Sequence, residues 1–274
     1  MGNRHNIFKV IGKLIKAIMI ICSVVAVIAG FFDQLEQAKE KKEAKKTGKK
    51  IHKMNGPYER FFKRPLDAFL STGALIVLSP VMLILAMLVW LRLGNPVFFK
   101  HERPGKKEKI FKLYKFRTMT NAKDKDGKLL PDQDRLTNFG LKLRRTSLDE
   151  LPELFNILKG DMSIVGPRPL EKYFLPYYTE EEHHRHDVMP GLTGLAQING
   201  RNNLRWEEKF HYDLDYSKNI TFIGDVRIVL KTIKKVLKED GVKEEGGATI
   251  VDFDIERKNK MEKENGDINF GNRQ

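Results

Sequence analysis

The sequence predicts a mainly helical α+β protein, in which a re-entrant membrane helix, a small β-hairpin and amphipathic interfacial helices surround a cytoplasmic core. Three observations predict this class. Two uncharged apolar runs cover residues 17–32 and 68–91. A pair of short strand-like segments follows them, and helical periodicity then extends over most of the C-terminal half.

Composition restricts the class of partner. The chain has 274 residues, and 50 lysines and arginines against 36 aspartates and glutamates give a net charge of +14. This length allows one or two domains, and 41% hydrophobic with 31% charged residues argues against wholesale disorder. A single cysteine, Cys22, excludes an internal disulfide framework. The positive charge indicates an anionic partner: nucleic acid, phospholipid headgroups or phosphorylated substrates.

The second apolar run is long enough to enter or cross a bilayer. Its 24 residues extend roughly 36 Å as a helix, against a hydrocarbon core of about 30 Å. Ser79 and Pro80 interrupt its centre, and the serine hydroxyl can bond the carbonyl that the proline leaves free. A kinked spanning helix and a re-entrant hairpin both fit. Basic residues flank the apolar run 68–91 on both sides: Arg60, Lys63 and Arg64 before the run, and Arg92, Lys100, Arg103, Lys106 and Lys107 after it. They favour a hairpin over residues 57–92 with both ends in the cytoplasm.

Residues 1–56 form an N-terminal apolar segment and a basic linker. The uncharged stretch has 16 residues, which is short for a spanning helix. Lys9, Lys13 and Lys16 precede it on one helical face and predict an interfacial amphipathic start. A spanning helix and a cleaved signal peptide are the alternatives. Residues 33–53 carry eight lysines and four acids and indicate a solvated helix or linker near anionic lipid.

Shorter elements follow in residues 93–243, which we expect to form one folded domain. Segments 97–102 and 110–119 predict a β-hairpin. Helical periodicity and its stop signals predict helices over 135–145, 151–159, 171–188, 204–217 and 222–238, the last of them basic and amphipathic. Residues 244–274 are charged and aperiodic, so we expect a disordered tail.

The first polar cluster is Asp149-Glu150, which follows an arginine pair that includes Arg144. Pro152 confines both carboxylates to the first helical turn or just before it, where free N–H groups attract anions. Two adjacent carboxylates beside arginines are suited to hold Mg²⁺ and a phosphate together. The alternative is a helix cap in which Ser147 and Glu150 form a capping box.

Two further clusters offer contacts for a phosphate. Flanking prolines clamp Arg168 in a rigid turn, which preorganises its guanidinium for bidentate contact. The glycine-rich segment 191–202 carries Gln197 and Arg201 on a backbone that a ligand can approach closely. An exposed loop and an ordinary turn are the alternatives. A nearby histidine group favours a solvated helix surface over a metal site: His183, His184 and His186.

Seven motifs occur in an order that is typical of one family. They are Lys63-Arg64-Pro65, Ser79-Pro80, Arg103-Pro104-Gly105, Tyr114-Lys115-Phe116-Arg117-Thr118-Met119, Ser147-Leu148-Asp149-Glu150-Leu151, Val165-Gly166-Pro167-Arg168-Pro169 and Pro190-Gly191-Leu192-Thr193-Gly194. Over residues 57–243 the chain resembles the bacterial sugar transferases, the monotopic polyprenyl-phosphate phosphoglycosyl transferases, and most of all their small bacillosamine-phosphate transferases. The resemblance implies Mg²⁺-dependent transfer of a sugar 1-phosphate from a UDP-sugar to polyprenyl (undecaprenyl) phosphate, with release of UMP, as the first membrane step of glycan assembly.

The resemblance also implies the roles of individual residues. The aspartate–glutamate dyad of the family matches Asp149 and Glu150, which would bind Mg²⁺. Asp149 would attack the sugar-linked phosphate and form a covalent phosphosugar intermediate. Ser79-Pro80 matches the break of the re-entrant helix, and Lys63-Arg64 matches its headgroup anchor. Together with the glycine-rich segment, the motifs give five expected substrate-binding residues: Arg144, Arg168, Arg201, Gln197 and Lys115.

Three features depart from the family pattern. Residues 1–56 are absent from the smallest members. Leu195 stands where relatives often carry tryptophan, and Glu153 replaces a common glutamine, which changes the charge beside the dyad and spares the nucleophile.

The expected partners are a UDP-sugar, polyprenyl phosphate and membrane phospholipid, with the catalytic domain on the cytoplasmic face of the bacterial inner membrane. A basic membrane-anchored adaptor without catalytic activity is the alternative, and it would bind nucleic acid or acidic proteins. The proline-broken apolar run and the lack of a nucleic-acid-binding motif argue against it, so no nucleic-acid partner is expected. The sugar, the polyprenol and the oligomeric state, including a homodimer, stay open.

Overall fold

Two long apolar helices, α1 (Gly2–Thr47) and α2 (Lys63–Leu93), form the N-terminal third of the chain, and a π-helical turn over Tyr58–Phe62 precedes the second. The computed structural model describes residues 2–47, 56–200, 204–237 and 253–260. The stretches Val10–Lys39 and Tyr58–Leu93 are long and apolar enough to cross a membrane. The predicted basic helix or linker continues α1 as far as Thr47, and its remainder lies outside the described residues.

The two long helices pack against each other in antiparallel directions. Gln37 Nε2 donates to Arg60 O at 3.4 Å. Further along, a Cβ added at Gly30 would lie 2.8 Å from Pro65 Cγ, so a larger residue at position 30 would displace the proline ring. Further along the same helix pair, the buried Cys22 faces Gly73. Apart from this seam, most large apolar side chains of both helices are exposed.

Helix α2 stays helical from Lys63 to Leu93 and contains Pro80 in its interior. Proline has no N–H to donate to the carbonyl four residues earlier, which belongs to Ile76. Ser79 Oγ donates to that carbonyl at 2.8 Å. The expected serine hydrogen bond is therefore confirmed, and it compensates for the backbone bond that Pro80 removes.

A β-hairpin and a series of short helices follow α2. Strands β1 (Phe98–Pro104) and β2 (Ile110–Phe116) are antiparallel with Phe98 opposite Phe116, which confirms the predicted hairpin. The helix predicted over 135–145 divides into α3 (Asp132–Arg135) and α4 (Asn138–Arg145), because Leu136 is extended and bridges to Met119. Helix α5 (Glu153–Lys159) ends at Gly160 as predicted.

The second half of the domain contains a parallel pair of three-residue strands, β3 (Ser163–Val165) and β4 (Gly191–Thr193). Between them, the helix predicted over 171–188 is wrong as a single element. It consists of a 3-10 segment Lys172–Tyr177 that contains Pro176, the short α6 (Glu180–His183) and a 3-10 turn His184–His186. Three helices follow, and the last two match the predicted pair: α7 (Leu195–Asn199), α8 (Trp206–Lys218) and α9 (Phe222–Leu237).

The hydrophobic core is built along one side of α2. The middle of this helix packs on β2 and α5 through Phe111, Leu113, Leu154 and Ile157. Its C-terminal half contributes a second cluster with β2 and α4, formed by Met82, Leu85, Val89, Phe116 and Leu143. One side of the helix therefore belongs to the core of the domain, whereas its other side exposes Val77, Leu83 and Leu91.

Buried polar contacts fix the first turns of α2 on the same domain. Lys63 Nζ lies 2.6 Å from Asp225 Oδ2 on α9, and both side chains are about nine-tenths buried. Tyr58 and Tyr216 donate to the same carboxylate. One turn further, the buried Asp67 accepts hydrogen bonds from Ser163 Oγ at 2.6 Å and from the backbone of β3.

The C-terminal region does not follow the expectation of disorder over residues 244–274. Residues 253–260 form a helix, and Phe253 is fully buried. Its ring enters an aromatic cluster formed by Phe174, Tyr178, Trp206 and Phe210. Arg257 pairs with the buried Glu182. The disorder prediction is wrong for these residues because one aromatic side chain supplies the burial that the composition of the tail does not indicate. The rest of the tail lies outside the described residues.

Removing the Lys63 charge should destabilise the protein. In Lys63→Met the Asp225 carboxylate stays buried without its cation, and we expect the free energy of unfolding to fall by about 3 kcal/mol. Denaturant unfolding in detergent micelles, followed by tryptophan fluorescence, measures this loss.

Lys218→Met is the matched control. Lys218 pairs with Glu181 at 3.4 Å on the surface, where both side chains are at least 66% exposed, and the expected loss is below about 1 kcal/mol. Equal losses in the two variants would show that burial of the Lys63 pair carries no special energetic weight.

Candidate active site

The dyad residues lie on a single 3-10 turn, Leu148–Glu150, immediately before α5. Ser147 enters this turn with a φ of +54°, and Pro152 caps α5, so the turn stays separate from the longer helix. Leu148 and Leu151 pack on the C-terminal cluster of α2. The predicted position at a helix start is confirmed. The alternative capping box does not form, since the Ser147 side chain makes no capping hydrogen bond.

Two cations hold the carboxylate of Glu150. Lys115 Nζ from β2 and Arg168 Nη2 each donate to Glu150 Oε1 at 2.7 Å. Burial acts to raise the pKa of Glu150, but the charges of Arg168 and Lys115 outweigh it and keep the pKa well below its usual range. Glu150 is therefore ionised and fixed in position at neutral pH.

Asp149 has the opposite electrostatic environment. Its side chain is buried, with 7% exposure, and no described residue donates a hydrogen bond to its carboxylate. Burial and the negative charge of Glu150 raise its pKa to about 6, against the attraction of Lys115, Arg144 and Arg168. The result is a carboxylate that is mostly ionised at neutral pH and is bound only weakly by its surroundings, which suits a nucleophile.

A third carboxylate, Glu153, lies beside the dyad. It is only 2% exposed, and its Oε1 lies 3.2 Å from Lys115 Nζ. Burial and the nearby charge of Glu150 raise its pKa to about 7. The sequence indicated a change of charge at this position but not a buried group. The spacing of the two glutamates could have indicated that they lie close together, since Glu153 follows Glu150 by three residues across a proline.

The backbone of Arg168 is fixed by Arg185, a residue that the sequence analysis did not single out. Arg185 Nη2 donates to Arg168 O at 2.7 Å, and the Arg185 guanidinium also binds Asp213 through two nitrogens. Both side chains of this pair are buried. The buried pair of Arg185 and Asp213 therefore fixes the backbone of Arg168, which contacts Glu150. No local sequence pattern indicates this pair.

The other predicted substrate-binding residues differ in their relation to the dyad. Arg144 is exposed, donates to Thr118 Oγ1 at 3.0 Å, and is close enough to lower the pKa of Asp149. Gln197 donates to Leu192 O at 3.0 Å and makes no described contact with the dyad. Arg201 lies outside the described residues. The structure thus brings Lys115, Arg144 and Arg168 to the dyad.

The headgroup-anchor role expected for Lys63 and Arg64 does not agree with their positions. Lys63 is buried in its ion pair with Asp225. Arg64 donates to Ile157 O and Leu158 O at 2.7 and 2.8 Å, where it satisfies the last carbonyls of α5. Their charges are used inside the protein because α2 packs on the domain at this point.

The dyad fits a magnesium ion by the chemistry of its donor atoms. Carboxylate oxygens are the hard ligands that Mg²⁺ prefers. Glu150 uses Oε1 for Lys115 and Arg168, which leaves Oε2 for a cation. A divalent cation would also relieve the repulsion between the two carboxylates that raises the pKa of Asp149.

Comparison with known proteins identifies the family of this chain. The chain belongs to the bacterial sugar transferase family, whose model matches residues 58–239. This confirms the family that the seven motifs indicated.

Three relatives illustrate the similarity. The sugar transferase EpsL of Bacillus subtilis (strain 168) is 48% identical over 191 residues, which cover 70% of this chain and 95% of that protein. The undecaprenyl-phosphate galactose phosphotransferase of Salmonella typhimurium is 41% identical over 200 residues, 66% of this chain and 42% of that protein. A UDP-N-acetylgalactosamine-undecaprenyl-phosphate N-acetylgalactosaminephosphotransferase of Aeromonas hydrophila is 37% identical over 195 residues. The chain spans less than half the length of these two phosphotransferases.

Neutralising Glu153 should stabilise the protein only at high pH. The folded-state pKa of about 7 lies above the ordinary value of 4.5. The stability contributed by the protonated group is therefore complete below 4.5 and is lost as the pH rises through about 7. We expect Glu153→Gln to match the parent at about pH 4 and to exceed it at about pH 8 by about 1–3 kcal/mol. Thermal unfolding at the two pH values measures the difference.

Glu207→Gln provides the control for this substitution. Glu207 is exposed on α8, so the same chemical change there should leave the pH dependence of unfolding unchanged. A Glu153→Gln variant that is equally or less stable than the parent at about pH 8 would contradict the raised pKa.

Proposed function

We propose that this protein transfers a sugar 1-phosphate from a UDP-sugar to polyprenyl phosphate, with undecaprenyl phosphate as the acceptor, as the first membrane step of glycan assembly. The observation that carries the proposal is the pairing of a weakly bound, buried Asp149 with a Glu150 that two cations hold, in a chain of the sugar transferase family. The names of two relatives, which include undecaprenyl phosphate, support it.

In the first step, a carboxylate oxygen of Asp149 attacks the phosphorus that carries the sugar. A bond forms between this oxygen and phosphorus, the bond from phosphorus to the bridging oxygen breaks, and UMP leaves with the electron pair. The raised pKa makes Asp149 a better nucleophile than an ordinary carboxylate while it is still mostly ionised at neutral pH. The charges of Arg168 and Lys115 lie close enough to stabilise the phosphoryl oxygens.

In the second step, an oxygen of polyprenyl phosphate attacks the same phosphorus. The bond to Asp149 breaks, its carboxylate is regenerated, and polyprenyl-diphosphate-sugar is released. Glu150 is a poor proton acceptor because Arg168 and Lys115 keep its pKa low. Its role is to hold Lys115 and Arg168 in position beside the reacting phosphate and to bind a cation.

We propose that Asp149 and Glu150 bind Mg²⁺. Bound there, the ion would neutralise charge on the phosphoryl oxygens. Arg168 and Lys115 stay in place to orient the diphosphate.

We further propose that α2 is re-entrant, with the catalytic domain on the cytoplasmic face of the bacterial inner membrane. Lys63 in its first turn and Val89 near its end both pack on the same domain, which argues against two ends on opposite sides of a bilayer. The exposed apolar side of α2 would face lipid. Helix α9 adds a second apolar surface, formed by the exposed Phe222, Ile223, Leu230 and Ile233, with lysines suited to headgroups elsewhere on the helix.

The covalent step is tested by incubating the purified protein with UDP-sugars that carry a radiolabelled sugar. Asp149→Asn removes the nucleophilic oxygen, and we expect it to lose labelled protein and to reduce UMP release by about 10³-fold or more. Chelation of divalent cations by EDTA should also suppress both signals, and Mg²⁺ should restore them. Asp215→Asn, at an exposed position on α8, is the matched control and should behave as the parent. Unchanged turnover in Asp149→Asn would exclude the mechanism.

The topology is tested with single cysteines in a Cys22→Ser background. Pro57→Cys and Lys109→Cys place thiols at exposed positions on either side of α2. A membrane-impermeant maleimide should label both only after the inner membrane is opened, because both ends lie in the cytoplasm. Labelling of the two positions from opposite faces would show a spanning helix instead. Detergent-solubilised protein, which should label at both sites, controls for access.

A further inference from the structure

A second group of ligand-type side chains lies away from the dyad, between the turn of the β-hairpin and the end of α6. Glu108 follows β1, and His183 and His186 belong to the histidine group that was expected to form a solvated helix surface. One ligand atom from each residue lies within 4.8 Å of the others. His183 Nδ1 is 2.5 Å from Glu108 Oε1, and His186 Nδ1 is 3.8 Å from the same oxygen.

His186 departs most from the expected solvated surface. It is only 5% exposed, and its buried Nδ1 has no hydrogen-bond partner although it faces the Glu108 carboxylate. A buried polar atom without a partner is costly and calls for an explanation. A metal ion bound to Nδ1 would supply the missing partner.

The surroundings hold the three side chains in this arrangement. The Tyr178 ring makes edge contacts with both imidazoles, with centroid distances of 5.6 Å to His183 and 5.3 Å to His186. Glu108 has a φ of +62°, a left-handed conformation that is unusual for a residue other than glycine, within the turn that places its carboxylate near the histidines.

We propose that Glu108, His183 and His186 bind a divalent transition metal ion of the zinc type. Two imidazole nitrogens and one carboxylate oxygen are a common protein ligand set for Zn²⁺, with water in the fourth position. Bond lengths of about 2.0–2.2 Å would separate tetrahedral ligand atoms by roughly 3.3 Å, which lies between the two distances to Glu108 Oε1. Binding at Nδ1 requires the proton of His186 on Nε2, so the long 3.4 Å contact from Arg185 Nη1 to that atom must open.

This ion would join two parts of the chain that both lead to the dyad. Glu108 belongs to the hairpin whose second strand carries Lys115, and His186 follows the arginine that binds Arg168 O. The metal ion would therefore connect the β-hairpin to the His184–His186 turn, and it is distinct from the Mg²⁺ proposed at Asp149 and Glu150.

The test is a Zn²⁺ titration of untagged full-length protein in detergent, against a chromophoric chelator and with millimolar Mg²⁺ present to occupy the dyad. We expect one Zn²⁺ per chain, and a thermal unfolding midpoint that rises with Zn²⁺ concentration. Glu108→Gln and His183→Gln, at partly exposed positions, should each weaken binding by at least about tenfold. Co²⁺ in place of Zn²⁺ should give visible absorption bands of a four-coordinate site in the parent and not in these variants.

His184→Gln is the matched control, because this neighbouring histidine is 64% exposed and pairs with Asp187 instead. It should retain the affinity of the parent. The proposal is overturned if the parent shows no saturable one-to-one binding, if Glu108→Gln binds Zn²⁺ as tightly as the parent, or if His184→Gln loses as much affinity as His183→Gln. Metal-free unfolding midpoints of the variants close to that of the parent would establish that the ligand substitutions leave the fold intact.

Discussion

The ion pair between Lys63 and Asp225 determines where the apolar helix α2 meets the rest of the protein. Two buried charges are costly unless each is fully satisfied, and Tyr58 and Tyr216 complete the hydrogen bonds of the carboxylate. A shift of α2 by one residue would break this arrangement and the bonds of Asp67 to β3 one turn later. The apolar contacts of α2 permit sliding, whereas these polar contacts do not. The register of α2 thus fixes the positions of β2 and α5, which carry Lys115 and frame the dyad.

The chemistry of the site follows from an uneven division of charge over three acids. Lys115 and Arg168 both bind Glu150, which takes most of the available positive charge. Asp149 and Glu153 are left buried beside a fixed negative charge, and both have raised pKa values. Neighbouring carboxylates whose environments push their pKa values apart are suited to different tasks. The same two cations therefore hold one carboxylate in place and leave the other one reactive.

Local signals in the sequence predicted the elements that depend on local physics. Pro152 and Gly160 bound α5, and the strand-like segments 97–102 and 110–119 on either side of residues 103–105 predicted the hairpin. The helix predicted over 171–188 failed for a local reason, because Pro176 lies inside it. The other failures involve partners distant in sequence. Lys63 resembled a lipid anchor because nothing near it indicates Asp225, 162 residues away. Phe253 lies in a charged segment, and its aromatic partners belong to the 3-10 segment Lys172–Tyr177, to the next residue Tyr178 and to α8. Of the candidate site, the dyad and Arg168 were predictable as motifs, whereas Arg185, Asp213 and the burial of Glu153 required the tertiary structure.

The turn that carries the dyad packs against α2, and this position would let the two substrates of the proposed reaction, which differ in solubility, meet at one carboxylate. Leu148 and Leu151, on either side of the dyad, pack on the cluster that contains Leu85 and Val89. Asp149 therefore lies beside a side chain that packs directly on the apolar helix. In the proposed reaction, a polyprenyl phosphate would keep its chain in the bilayer and its phosphate at the surface, and it would reach Asp149 without extraction of the lipid. The UDP-sugar would then approach from the polar side, where Arg144 and Arg168 provide positive charge. The polar contacts that set the register of α2 would thus also set the depth at which the proposed reaction takes place.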